Sequence, residues 1–257
     1  MKKFRGIYVK NDAEISIMRQ AGAIVASILD ELEKAVQPGV QTMVFEETAV
    51  RLCQEHGVRP AFKGYLGYPF ALCCSVNEEV VHGFPSTRVL QEGDIVSFDM
   101  GVIHQGFYGD SARTVPVGAI SPEVRKLIEV TEESLRLGIA QVRAEGNLYD
   151  VSLAIQKHVE SHGYSVVRRF VGHGIGRNLH EKPEIPNFVP KGASPVVLKP
   201  GMALAIEPMV TMGGAEVEIL SDKWTAVTKD RSLAAHCEHT VVVTADGPKI
   251  LSRRLEA

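Results

Sequence analysis

Apolar residues recur at helical spacing from Ile15 through Met18, Ala21, Val25, Ile28 and Leu32, which predicts a helix buried along one face. Asn11 can cap it, with Glu14 placed for a capping box, and Pro38-Gly39 stops it. A second helix starts at Thr42 and ends at His56-Gly57. A third opens at Ser121-Pro122 and runs to about Ala144, and a fourth runs from about Leu148 to His162-Gly163. Between these pairs the period changes to strand alternation. Val96, Phe98, Met100 and Val102 share one face, and Ser97, Asp99 and Gly101 share the other. Beyond a polar turn at Gln105-Gly106, the residues Asp110, Ala112 and Thr114 share a face, so a hairpin brings Asp99 and Asp110 side by side. Further strands are predicted at Ser165–Phe170, Met202–Glu207 and Glu238–Thr244, with a hairpin over Glu216–Leu220 and Trp224–Thr228. The aromatic-rich segment Phe62–Val76, the loop VGHGIGRNLHEKP and the proline-rich connection Pro183–Pro200 read as irregular.

The pattern occurs twice. His82-x-x-Pro85 is followed by Val89-Leu90-x-x-Gly93 and then by Asp99; His180-x-x-Pro183 is followed by Val197-Leu198-x-x-Gly201 and then by Glu207. Each half opens with two helices, the second ending in His-Gly, and each closes with a second acid, Asp110 or Glu238. A duplicated unit follows: halves of about 11–117 and 121–251 in one domain spanning 1–257, forming a composite antiparallel sheet with helices on its outer face.

Composition narrows the class. The chain has 257 residues, 45% of them hydrophobic and 23% charged, the balance of an ordinary globular protein. A net charge of -3 gives no footprint for nucleic acid or an anionic membrane. No apolar run is long enough for a membrane span, and the N-terminus lacks the apolar core of a secretory signal, so the cytoplasm is expected. Four cysteines without CxxC spacing are read as reduced. The tail SRRLEA is expected to fray.

On the hairpin alone, Asp99 and Asp110 could be a turn residue and a surface charge. The duplication changes this, because Asp99, Asp110, Glu207 and Glu238 then converge. Four clustered carboxylates repel by several kcal/mol at an effective dielectric of about 20, so they stay partly protonated or hold cations. Two divalent ions would balance them, and an added imidazole favours Mn, Fe, Co or Zn over Mg or Ca. Such a centre hydrolyses a carbonyl or phosphoryl group. Candidate imidazoles are His82, His173 and His180, each in or beside a glycine-containing loop. His56, His158 and His162 read as solvated, His104 and His236 as uninformative, and His239 as facing away from Glu238.

At SVNEEVVHGFP, VSFDMGVIHQGFYGDSART, GHGIGRNLHEKP, GMALAIEPM and EHTVVV the chain resembles the type I methionine aminopeptidases of the creatinase-like "pita-bread" family. The resemblance runs from about Asp12 to Leu251. It implies an α+β pita-bread fold, with a curved antiparallel sheet under helices. It implies metal ligands at Asp99, Asp110, His173, Glu207 and Glu238 for two divalent ions (Co, Mn, Fe or Zn). His82, His180 and Glu207 would be catalytic, acting on a carbonyl attacked by hydroxide. A methionine pocket would map onto Tyr65, Tyr68, Cys73, Leu179 and Trp224, with Phe62 at the rim, although Tyr65, Tyr68 and Trp224 could also be plain core. Phe62 and Leu179 stand where relatives often carry Cys and Phe, which bears on pocket shape. Some relatives also hold a monovalent cation near the Asn77 loop. The implied substrates are N-termini of nascent polypeptides with a small second residue, cleaved by a cytoplasmic monomer in transient contact with the ribosome. An X-Pro aminopeptidase or prolidase-like peptidase, and a non-catalytic binding protein on the same fold, are the alternatives.

Overall fold

The computed structural model describes residues 2–254, and the last part of the expected tail, 255–257, lies outside them. Four helices carry the amphipathic segments: α1 (Asp12–Lys34), α2 (Met43–Glu55), α3 (Pro122–Ala140) and α4 (Leu148–Ser161). The α1 capping box forms as its sequence predicts, with Asn11 and Glu14 bonding reciprocally. Thr42 precedes α2 without capping it; its hydroxyl instead accepts from the Ser86 N–H and donates to the Ser86 carbonyl. α3 stops at Ala140, short of Ala144, and Glu145 (φ 63°) then turns the chain so that its N–H reaches the Leu198 carbonyl at 2.9 Å.

A single antiparallel sheet of nine strands runs through both halves. Its order is Glu181–Ile185, Gly172–Gly174, Ala203–Ile206, Glu238–Thr244, Phe107–Pro116, Ile95–His104 and Arg59–Pro60. Leu72–Val76 also pairs with Ile95–His104, and Gly247–Ile250 with Glu238–Thr244. One face is apolar and covered. Val25, Leu29, Phe45 and Leu52 pack on Val96, Phe98, Met100 and Val115 in one half. Leu127, Leu135, Val151 and Ile155 pack on Leu204, Ile206, Val241 and Val243 in the other. The opposite face is left for the acids.

The structure corrects several expected boundaries. Leu72–Val76 is a strand, not an irregular segment; all five residues are buried, so no alternation marks it. Inside VGHGIGRNLHEKP, the residues Gly172–Gly174 form a strand, and a second begins at Glu181. Glycine makes this pairing possible, since a Cβ on Gly174 would strike the Lys182 carbonyl. The strand expected over Ser165–Phe170 ends at Val166, and the chain then turns to set Phe170 against the His82 ring, centroids 5.4 Å apart. Ser252 is not frayed: it is buried, its hydroxyl 2.8 Å from His239 Nδ1 and accepting from the Thr240 N–H.

The registers define how the halves match. Phe98 pairs with Arg113, and Ile206 pairs with His239, so Asp99 and Glu207 each come next. Thr114 donates to the His236 carbonyl at 2.8 Å and accepts from the His236 N–H at 2.9 Å. Thr240 does the same to Asp110, donating at 2.8 Å and accepting at 3.2 Å. Thr114 therefore corresponds to Thr240. Asp110 then corresponds to His236 and Ala112 to Glu238, so the two closing acids are not each other's counterparts. Ser75, opposite Ser97, corresponds to His173, opposite Ala205.

Candidate active site

The hairpin places Asp99 opposite Ala112 and Asp110 opposite Gly101, so the aspartates are diagonal neighbours on one face. Ala112 pairs on its other side with Glu238, which carries the acidic row across the junction of the halves. Gly101 keeps this corner open, since a Cβ there would lie 2.9 Å from the Phe62 ring and 3.3 Å from Asp110 Oδ1. Glu207 follows the Ala203–Ile206 strand, and its Oε1 is 3.5 Å from His173 Nε2. Ligating atoms of Asp110, His173 and Glu238 all lie within 4.8 Å of one another.

One cavity of about 180 Å³ is lined by all thirteen residues singled out in the sequence, together with Leu66. The five candidate ligands and His82 and His180 share it with the aromatic and apolar groups Phe62, Tyr65, Tyr68, Cys73, Leu179 and Trp224. Tyr68 is buried, its hydroxyl donating to the Leu72 and Gly83 carbonyls, and its ring meets Trp224 edge-on at 5.1 Å. Pocket and core packing are thus the same contacts for Tyr68. Glu46 of α2, buried, accepts from the Ala71 and Leu72 N–H groups and so fixes the start of the strand carrying Cys73.

Neither lysine nor arginine lines the cavity, so the acids lack counter-charge there. Burial pushes Asp99 up to about 7. Burial first, then neighbouring carboxylates, holds Asp110, Glu207 and Glu238 well above the usual carboxylate range. Burial also depresses His173 to about 3 and His82 to about 4, with His180 adding to both shifts. These rings are neutral, so the contact of His173 with Glu207 is not an ion pair. His173 Nδ1 lies 3.0 Å from the Gly174 carbonyl, which holds the hydrogen on Nδ1 and leaves the Nε2 lone pair facing the acids.

Asp99 Oδ1, Asp110 Oδ1 and Glu238 Oε1 are buried without a hydrogen-bond partner. Orphaned buried oxygens with a neutral imidazole beside them are what a divalent cation satisfies. The donor set fits such ions.

Three features escaped the sequence reading. His236, set aside as uninformative, is buried on a strand, with Nε2 unpartnered and 3.7 Å from Glu207 Oε2. Only the cross-strand register shows this. Lys10 and Glu181 form a buried ion pair at 2.8 Å, and Glu181 also accepts from the Arg177 and Asn178 N–H groups. That carboxylate holds the loop leading into His180 from a partner remote in sequence. Leu66 stands exposed at the cavity mouth. Among the histidines read as solvated, His158 departs: its Nε2 is buried without a partner.

A nine-stranded antiparallel sheet under two helix pairs, with an acidic centre at the junction of its halves, defines a metal-dependent hydrolase class. The sequence profile of metallopeptidase family M24 matches residues 16–245, and the chain belongs to that family. Within it, the chain is 50% identical over 246 residues to a methionine aminopeptidase of Clostridium perfringens, covering 96% of this chain and 98% of the relative. The crystal structure of a methionine aminopeptidase from Thermotoga maritima superposes with a TM-score of 0.94 at 47% identity, covering 96% of this chain and all of that one. A prolidase from Pyrococcus furiosus shares the fold, with a TM-score of 0.78 at 21% identity, and this chain covers 66% of its length.

Proposed function

We propose that the chain removes the N-terminal methionine from polypeptides whose second residue is small. The observation that supports this is a single cavity where five potential metal-ligating side chains, three of them with donor atoms within 4.8 Å of one another, adjoin an aromatic, apolar pocket. The pocket of Phe62, Tyr65, Tyr68, Cys73, Leu179 and Trp224 suits an unbranched thioether side chain. Asp99, Asp110, His173, Glu207 and Glu238 would hold two ions, with manganese, iron, cobalt or zinc the class an imidazole-containing set selects. When bound, such ions supply an acidified water near neutral pH and positive charge beside the scissile carbonyl.

The remaining work falls to side chains. Glu207 accepts the proton of the attacking water and passes it to the departing nitrogen. Tyr65 holds its hydroxyl 2.7 Å from His180 Nδ1, and burial raises its pKa, so the phenol stays protonated and can donate to that nitrogen. His180 then carries its hydrogen on Nε2 and offers it to the carbonyl oxygen as charge builds there. His82, in a left-handed backbone conformation (φ 60°) between Phe170 and Trp224, faces the scissile nitrogen.

Residues 1–257 act as one catalytic domain and as a monomer, in the cytoplasm. The substrates are nascent chains, met in transient contact with the ribosome. No helix among the described residues is long and apolar enough to cross a membrane. A monovalent cation near the Asn77 loop, where Asn77 has φ 60°, belongs to the same reading. The test is methionine release from a Met-Ala-Ser peptide by metal-loaded and chelated protein, with an Xaa-Pro peptide as control. Release from Met-Ala-Ser alone, lost on chelation, supports the reading; preference for Xaa-Pro overturns it.

A further inference from the structure

Leu66 is the most exposed of the large apolar side chains among the described residues, at 81%, and it lines the mouth of the catalytic cavity. Its backbone is left-handed (φ 49°, ψ 19°), a conformation unfavourable for leucine, and Gly64 (φ 86°) and Gly67 (φ 93°) flank it. The loop is closed on itself: Gly64 N–H donates to the Tyr68 carbonyl at 2.7 Å, and Tyr68 N–H to the Tyr65 carbonyl at 2.9 Å. Tyr65 anchors the same loop to His180. A rigid, strained turn thus presents an apolar side chain to solvent beside the reacting groups.

We infer that Leu66 is a specificity-determining residue that packs against an apolar third or fourth residue of the peptide substrate. This rests on the aminopeptidase reading above. In an exopeptidase the first residue occupies the buried end of the cavity, so everything after the second residue must leave across the rim. An extended chain advances about 3.3 Å per residue, which carries the third and fourth residues past the rim rather than into the pocket. Phe62 is buried and Tyr65 and Trp224 are half-buried, so Leu66 is the apolar rim group with most surface left to cover. The preferred class is Met-small-apolar and Met-small-Xaa-apolar N-termini, and the loop, already held, loses little freedom when it binds them.

The test compares kcat/KM for Met-Ala-Leu-Ser, Met-Ala-Ser-Leu, Met-Ala-Ser-Ser and Met-Ala amide in the wild type, Leu66→Asn and Leu66→Met. Asparagine tolerates the left-handed backbone, so the loop keeps its shape while the apolar contact goes. The wild type should favour one leucine peptide over Met-Ala-Ser-Ser by about fivefold, the scale of a partly covered leucine. Leu66→Asn should bring that ratio within about twofold of unity and lower kcat/KM for the preferred leucine peptide more than for Met-Ala amide, and Leu66→Met should keep the preference. No preference in the wild type, or a preference that survives Leu66→Asn, overturns the inference alone. Failure of the metal-loaded wild type to release methionine from any of the peptides overturns this inference and the aminopeptidase reading together.

Discussion

Phe98 opposite Arg113 and Ile206 opposite His239 occupy matching places in the two halves, yet the side chains aimed into the cavity differ. Asp99 and Glu207 match, and so do His82 and His180. Beyond them the first half has Ser75 where the second has His173, and Ala112 where the second has Glu238. It has Asp110 where the second has His236. The frame is symmetric and the chemistry is not. The close trio of donors takes Asp110 from one half and His173 and Glu238 from the other, so neither half holds the site alone. The first half contributes most of the pocket instead, through Phe62, Tyr65, Tyr68 and Cys73.

Substituting the unequal members should separate the two halves. His173→Ala should lose metal and at least about 10³-fold in turnover, beyond the loss of a single preorganised donor, while Ser75→Ala, which strands the Gly83 N–H beside His82, should keep its metal. Metal content and methionine release check this together. The matched histidines should differ by degree. His180→Ala should cost about 10²–10³ in kcat as the proposed oxyanion donor is lost, and His82→Ala should likewise leave a small measurable rate. His236 should act through Glu207: His236→Ala should weaken divalent-ion affinity about 10- to 100-fold, read by calorimetry, with the fold unchanged.

A smaller effect tests the shared frame. Thr114→Val and Thr240→Val each strand buried backbone groups of the opposite strand, and each should cost about 1–3 kcal/mol in denaturant unfolding. Similar losses would support their equivalence; a loss at only one would break it.

The pH dependence separates the acids from the imidazoles. Asp99 rises from its ordinary value to about 7 in the folded chain, and Asp110, Glu207 and Glu238 also rise, so the metal-free fold gains from their protonation and loses stability as pH climbs through their folded values. His173 and His236, depressed to about 3, act the other way, their stabilisation being lost only as pH falls below their ordinary value of 6.5. Above pH 7 the imidazoles no longer contribute, and the four buried thiols, which burial raises, weigh in only toward pH 9, so the chelated protein should melt at lower temperature at pH 8 than at pH 7, and divalent ions should recover most stability at the higher pH.

Much of this was legible along the chain. The helical spacing from Ile15 to Leu32, the alternation through Asp99 and the repeated order around His82 and His180 gave both helix pairs and the hairpin. All five candidate ligands stood in recognisable motifs. What stayed hidden depends on pairing across the sheet. Gly172–Gly174 has no alternation to read, because it is buried on both sides and short. His236 gained meaning only when Thr114 was seen bonded to its backbone, and the matching of Asp110 with Glu238 failed for the same reason. Lys10 and Glu181 are too far apart in sequence for either to suggest the other.

Donors from both halves assemble one divalent-metal site that the proposed reaction requires. Titrating a divalent ion into metal-free protein, while counting bound ions and following methionine release from Met-Ala-Ser, puts this assembly to the test. Release should be absent at the start and rise with the bound ions, up to two per chain. Full release from the chelated protein, or release unrelated to bound metal, would contradict it.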